Sequence, residues 1–192
     1  MQISKCRLCN SKDIELALNL KPTPVADHYV TENELSALQP AYPLDLYLCN
    51  CCGHVQLGYV VDPNILFRDY VYTSSISTSL LKHFEVSSSE LIEILELERK
   101  DLVVDIGSND GSFLNYFNNA GINVIGVDPA EDIVQMANDS GIETIAEFFT
   151  PSTADTIVNT KGRAKLVTAN NVFAHADNMG EIAEGVFKLL TE

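Results

Sequence analysis

Asp101-Leu102-Val103-Val104-Asp105-Ile106-Gly107-Ser108-Asn109-Asp110-Gly111-Ser112-Phe113 decides how the rest of the chain is read. Leu102, Val103, Val104 and Ile106 form a short apolar run, the pattern of a parallel strand covered on both faces. Gly107 and Gly111 bracket Ser108-Asn109-Asp110, and glycine lets a backbone turn sharply and approach a ligand closely. A helix is predicted from Phe113 onward. Its N-terminus presents free N–H groups at the turn.

Outward from this stretch the chain repeats a strand–helix rhythm. A helix to Ala120 closes at Gly121, and Ile122 to Val127 is a second strand ending at Asp128. A helix over 130–138 and a third strand, Glu143 to Ala146, follow. A helix over 152–159 leads to a fourth strand, Ala164 to Ala169, ending at Asn170-Asn171, and a helix over 179–190 ends the pattern. Strands alternating with helices predict an α/β, Rossmann-like fold with about four parallel strands joined by right-handed crossovers. Ligands of such sheets bind at the carboxyl ends of the strands. Asp105, Gly107, Asn109, Asp110, Gly111, Asp128, Asn170 and Asn171 all fall at or beside that edge and are the candidate cofactor-binding residues.

A carboxylate at the tip of the second strand, here Asp128, can accept bonds from both ribose hydroxyls, which predicts a nucleoside cofactor. Dinucleotide sites prefer G-x-G-x-x-G, whose middle glycine admits a pyrophosphate. Here the pattern is D-x-G-x-x-D-G. The carboxylates of Asp105 and Asp110 oppose a pyrophosphate and suit a cationic partner, such as the amino group and sulfonium of S-adenosylmethionine.

The net charge of -15 argues against nucleic-acid binding, which needs clustered Lys and Arg. No apolar run approaches the roughly 20 residues of a membrane span. The N-terminus lacks the apolar core of a signal peptide, so a cytoplasmic location is expected.

All five cysteines lie between Cys6 and Cys52, and clustering of that kind in a cytosolic chain suggests metal rather than disulfides. Cys6-Arg7-Leu8-Cys9 and Cys49-Asn50-Cys51-Cys52 are two C-x-x-C loops, each followed by a turn former, Asn10 or Gly53. Cys6, Cys9, Cys49 and Cys52 predict a closed, four-thiolate structural site that suits Zn²⁺. Iron fits the same geometry. Cys51 is the spare thiol, and His54 reads as a strand residue. The segments flanking the second pair, Tyr47-Leu48 and His54 to Val60, predict a hairpin with the metal loop as its turn. Lys21 to Asp27 predicts an extended loop because of its two prolines. Thr31-Glu32-Asn33-Glu34 can open a short helix ended by Pro40 and Pro43.

Leu66 to Ser75 reads from composition as a strand with aromatic packing. Ser77 to Leu97 predicts a long helix, either continuous or broken at Ser87-Ser88-Ser89 with Ser87 and Glu90 as a capping box. The expected division is a zinc-binding, β-rich domain over 1–75 and a cofactor-binding domain over 76–192.

DIGSNDGSF, VDPA and NNVFAHADN resemble the S-adenosylmethionine-dependent sugar C-methyltransferases of deoxysugar biosynthesis. YPLDLYLC, CGHVQL, DYVYTSS and the Cys-x-x-Cys pairs resemble that family's zinc-binding N-terminal domain. The resemblance runs along the whole chain in the family's order. It implies a class I methyltransferase sheet, S-adenosylmethionine and structural Zn²⁺ as cofactors, and a nucleotide-linked 4-keto-6-deoxy sugar as substrate. It also implies His175, in the F-A-H segment, as the base, and Tyr72, in DYVYTSS, as a phenol that orients the sugar ketone. His83 and His28 have no counterpart of this kind and are expected at the surface or in packing. Relatives continue past the equivalent of Leu190 with further strands and an E-H-x-x-Y-type acid–base segment. The expectation is therefore a C-terminally truncated chain of low or no activity by itself, with the fourth strand an exposed edge. Two other functions fit parts of this pattern. One is a zinc-containing binding module with a degenerate, non-catalytic nucleoside domain. The other is a small-molecule O-methyltransferase.

Overall fold

A computed structural model describes residues 1–27 and 29–190. His28, Thr191 and Glu192 lie outside the described residues. The chain divides into two compact units, Met1–Tyr70 with Asp177–Met179, and Val71–Ala176 with Gly180–Glu192.

The first unit holds a three-stranded antiparallel sheet of β1 (Ile14–Leu18), β2 (Leu46–Cys49) and β3 (Val55–Leu57), in that spatial order. β2 and β3 form the expected hairpin, closed by the Cys49 N–H donating to the His54 carbonyl at 2.9 Å. β1 is an addition to the sequence reading. Residues 21–27 pair only through a bridge between Thr23 and Tyr42. A 3-10 turn at Glu32–Glu34 opens with a capping box, the Thr31 N–H donating to Glu34 Oε2 at 2.9 Å.

The strand expected over 66–75 does not form. Helix α1 (Pro63–Phe67) occupies its start, because Asp62 accepts from the Asn64 N–H and Pro63 fits the first helical position. A 3-10 turn at Ser74–Ile76 occupies its end. Among the described residues before Phe84, the fully buried apolar side chains are Cys6 and Cys49. A unit with so little apolar core needs another source of stability.

The second unit contains α2 (Thr78–Ile94), β4 (Leu102–Ile106), α3 (Ser112–Asn119), β5 (Asn123–Val127), α4 (Glu131–Asp139), β6 (Thr144–Ile145), α5 (Pro151–Lys161), β7 (Leu166–Thr168) and α6 (Met179–Leu189). The strands are all parallel, in the order β6-β5-β4-β7. This is the α/β, Rossmann-like architecture that the sequence pattern predicts. Every residue of β4 is buried. Leu102, Val104 and Ile106 join a core with Ile125, Ile157 and Leu189. Val103 joins Phe84, Phe113, Leu114 and Phe117 in a second core. Alternation along one strand therefore serves both faces of the sheet.

Helix α2 is continuous through the serine run. Ser77 caps it, accepting from the Leu80 N–H, and the Ser88 and Ser89 hydroxyls donate back to the Glu85 carbonyl. That back-bonding satisfies the hydroxyls without breaking the helix. β7 lies at an edge of the sheet, with its three residues half-buried.

Candidate functional site

β4 delivers its last residues into a loop that reverses three times in five residues. Gly107, Asn109 and Gly111 have φ of 68°, 51° and 74°. Glycine and asparagine are the residues that visit this left-handed region at least cost. The N–H groups of Gly107 and Ser108 both donate to the Val127 carbonyl, at 2.7 and 3.3 Å, which ties the loop to the end of β5. A Cβ on Gly107 would lie 2.3 Å from Val172 Cγ2, so the turn after β7 packs directly against the glycine.

Two carboxylates flank this loop. Asp105 is buried, and the Thr168 hydroxyl of β7 donates to its Oδ1 at 2.6 Å. Burial pushes the Asp105 carboxyl up from 3.8 to about 7; the Thr168 hydrogen bond opposes the rise and the Asp128 charge adds to it. Asp128, at the end of β5, is also buried. Its Oδ2 accepts from the Asn109 N–H and its Oδ1 from the Ala130 N–H, both at 3.0 Å. Burial raises its pKa as well, against the pull of the Ala130 and Asn109 N–H groups. Each oxygen keeps a second lone pair for a ligand hydroxyl.

Asn109 and Asp110 turn their side chains to another segment. Asn109 Nδ2 donates to the Tyr72 carbonyl at 2.9 Å and its Oδ1 accepts from the Ser74 N–H at 2.8 Å. Asp110 Oδ2 accepts from the Ser75 N–H at 2.9 Å, while its Oδ1 accepts from the Ser112 hydroxyl at 2.6 Å and N–H at 3.2 Å, at the first residue of α3. A Cβ on Gly111 would approach Ile142 at 3.0 Å.

Asn170 and Asn171 are both exposed in the turn after β7, with Asn171 at φ 55°. The chain then forms a 3-10 turn at Phe173–His175, where the His175 N–H donates to the Val172 carbonyl and the residue is exposed. The side chains expected to meet a substrate thus lie on two segments anchored to one loop. Tyr72 is held through Asn109, and His175 follows Val172, which sits on Gly107. Sequence reasoning misses Thr168, whose signal is a hydroxyl among the apolar residues of Leu166-Val167-Thr168-Ala169.

In the first unit, the sulfurs of Cys6, Cys9, Cys49 and Cys52 lie within 4.8 Å of one another. Cys6 Sγ is 3.7 Å from Cys52 Sγ, and Cys9 Sγ is 3.6 Å from Cys49 Sγ. Metal–sulfur bonds of about 2.3 Å in a regular tetrahedron set the sulfurs about 3.8 Å apart, so the cluster fits Zn²⁺. The two loops are built alike: the Asn10 N–H returns to the Cys6 carbonyl and the Gly53 N–H to the Cys49 carbonyl. Both turn formers have positive φ, 61° and 75°. The Cys9 N–H, opposed by burial and helped by the Leu8 N–H, brings the Cys6 thiol down to about 7, while against the pull of the His54 N–H burial and the neighbouring sulfurs push the Cys52 thiol up to about 12. Cys51 and His54 are outside the cluster.

Gln56 likewise escapes the sequence reading. It is buried, accepts from the Arg7 N–H at 2.8 Å and donates to the Lys5 carbonyl at 3.0 Å, bracketing Cys6. Its signal is a long amide at the inward position of β3, beside exposed Val55.

Residues 82–192 match a family model described as "Methyltransferase domain". The chain belongs to the methyltransferases. Residues 6–67 match a second model, described as "Putative zinc binding domain". The chain is 35% identical to the C-methyltransferase NovU of Streptomyces niveus over 188 residues, which is 98% of this chain and 45% of the relative. It therefore spans just under half the length of that curated relative. Solved structures that the chain is similar to include the plantazolicin methyltransferase BpumL in complex with a pentazolic desmethylPZN analog and SAH, at 17% identity and a TM-score of 0.45 over 59% of this chain and 43% of that one. Another is the magnesium protoporphyrin IX methyltransferase of Synechocystis PCC 6803 with bound SAM, at 17% identity and a TM-score of 0.43 over 58% of this chain and 56% of that one. These two neighbours hold SAH and SAM, and the four-cysteine cluster lies within the residues matched by the zinc-binding model. Among the described residues no helix is long and apolar enough to cross a membrane.

Proposed function

We propose that this chain is the zinc- and donor-binding portion of a cytoplasmic enzyme that methylates carbon next to the ketone of a nucleotide-linked 4-keto-6-deoxy sugar. The observation that carries the reading is the 35% identity to a C-methyltransferase over 98% of the chain. The convergence of the Tyr72 and His175 segments on the Gly107–Gly111 loop supports it. The division we infer is a zinc-binding domain followed by a donor domain, with the boundary near residues 70–75.

S-adenosylmethionine, when bound, supplies an electrophilic methyl on a cationic sulfur. Asp105 and Asp128 offer buried negative charge toward that cation, and Asp128 also offers acceptor lone pairs for ribose hydroxyls. Gly107 and Gly111 let the backbone approach the donor. Asn170 and Asn171 border the same edge and bring amides to polar groups of donor or sugar. The His175 imidazole takes the proton from the carbon next to the ketone. The Tyr72 phenol donates a hydrogen bond to the ketone oxygen, whose charge grows as the enolate forms. The four cysteines hold their unit in shape and leave no open metal position for chemistry.

Calorimetry with the 192-residue chain tests the donor half: S-adenosylmethionine binds and NAD does not. Solvent deuterium entering the carbon next to the ketone, lost in His175→Asn, tests the substrate half. Methylation of a hydroxyl with no such exchange would replace carbon with oxygen as the acceptor.

A further inference from the structure

Asn109 stands between two glycines in the left-handed region, where a third glycine would carry the turn with less strain. Its side chain therefore calls for another explanation, and the hydrogen bonds supply one. The amide faces the backbone of residues 72–74, oxygen to the Ser74 N–H and nitrogen to the Tyr72 carbonyl. This pairing fixes the amide orientation, because the flipped amide would set like against like. Asp110 adds the Ser75 N–H. Three side-chain-to-backbone bonds thus strap residues 72–75 to the loop that follows β4. The Asn109 N–H meanwhile donates to Asp128. One residue is bonded both to the carboxylate expected to take the donor ribose and to the carbonyl of Tyr72.

We propose that Asn109 is a positioning residue that sets Tyr72 against the donor loop, so that ordering of the loop by the methyl donor also orders the phenol that meets the acceptor. The proposal rests on the reading of Tyr72 as a substrate-facing residue. Its structural core, that the Asn109 amide holds the 72–75 segment, is tested without substrate.

The chain has no tryptophan, so Tyr72→Trp creates a single fluorophore on the strap. In that background Asn109→Gly keeps the left-handed backbone and removes the amide. Ser74→Pro removes the N–H from the other side. Proline suits this position because Ser74 begins a 3-10 turn and Thr73 before it is extended, at φ -112° and ψ 137°. Asn109→Gly is expected to raise acrylamide quenching of the introduced indole about two-fold as both backbone-directed bonds are lost, and Ser74→Pro, which breaks one of them, by a smaller factor. The double variant should match Asn109→Gly alone, since both changes break one clasp. Asn109→Asp keeps the acceptor for Ser74 and loses the donor to Tyr72, and should fall between parent and Asn109→Gly. S-adenosylmethionine should lower quenching in the Tyr72→Trp parent and leave Asn109→Gly unchanged. Circular dichroism establishes that each variant is folded, and Ser74→Pro alone reads the clasp should Asn109→Gly fail to fold. Quenching equal to the parent in a folded Asn109→Gly or Ser74→Pro chain, or effects that multiply in the double variant, overturns the proposal. An intact clasp in a chain that binds no methyl donor would sink the donor reading instead, so the two failures are told apart.

Discussion

Asp105→Asn isolates the buried carboxylate that the loop is built around. Asparagine keeps the shape and an oxygen for the Thr168 hydroxyl but removes the titration. In the folded protein burial holds the Asp105 carboxyl at about 7, against 3.8 ordinarily. The folded state then binds the proton more tightly, so Asp105 favours folding most at low pH and that contribution is lost as pH rises toward and through about 7. With about 1.36 kcal/mol per pKa unit, native proton occupancy integrated from about pH 6 to about pH 8.5 gives a loss on the order of 1 kcal/mol. Asp128 is shifted in the same direction and adds a slope of its own that the variant retains. Urea unfolding of the zinc-loaded chain, followed by far-UV circular dichroism at several pH values, measures this. Unfolding free energy should fall by roughly 1 kcal/mol or more across that window in the parent and clearly less in Asp105→Asn. Affinity for S-adenosylmethionine should run the other way, rising about tenfold as the carboxylate ionises, and should be flat in the variant. Equal pH slopes of stability in the two chains would refute the assignment of the buried proton to Asp105.

Zinc should bind at one equivalent per chain by colorimetric chelator assay, and Cys9→Ser or chelation should unfold the first unit, because structural zinc sites contribute on the order of 10 kcal/mol. Gln56→Leu should leave the Arg7 N–H and Lys5 carbonyl without their partner and weaken zinc roughly 10- to 100-fold in chelator competition, with Gln56→Glu milder because it keeps the acceptor for Arg7. Gly107→Ala should cost about 2–4 kcal/mol in urea unfolding, from a left-handed alanine and overpacking against Val172. Asp128→Asn should abolish calorimetric binding of S-adenosylmethionine, since the new amide also faces the Asn109 or Ala130 N–H.

The strand–helix rhythm of the second unit is legible because local and long-range signals agree. Apolar runs of strand length alternate with amphipathic helices, and glycines mark the turns. The same agreement locates the four metal cysteines and the strand-end carboxylates. Residues 63–76 mislead for a definite reason. Two tyrosines among β-branched residues read as strand, but Asp62-Pro63 starts a helix and the backbone at the serines that follow bonds to the glycine loop. β1 escapes notice because Ile14-Glu15-Leu16-Ala17-Leu18 has only a weak alternation, and its leucines are about half exposed. Thr168 and Gln56 are invisible for a third reason. Each matters through a partner distant in sequence, Asp105 or the backbone around Cys6, and single-chain periodicity carries no information about that partner.

The distribution of the carboxylates sharpens the argument about which cofactor the loop prefers. On sequence, Asp105 and Asp110 together oppose a pyrophosphate. In the structure Asp110 already serves Ser112 and Ser75, so its charge is partly spent on the first residue of α3 and the strap. Asp105 and Asp128 are left to discriminate, and both are buried where a charge interacts more strongly than at the surface. Burial alone disfavours two adjacent carboxylates, and their raised pKa values record that cost. A sulfonium and an ammonium brought to the same strand ends reverse the balance, whereas a pyrophosphate would worsen it. On the proposed reading, selectivity for a cationic methyl donor would follow from the same desolvation that raises the two carboxyl pKa values. Asp105→Asn should narrow the preference for S-adenosylmethionine over its neutral-sulfur product S-adenosylhomocysteine, measured as the ratio of their calorimetric dissociation constants. An unchanged ratio would assign the discrimination to residues other than the buried pair.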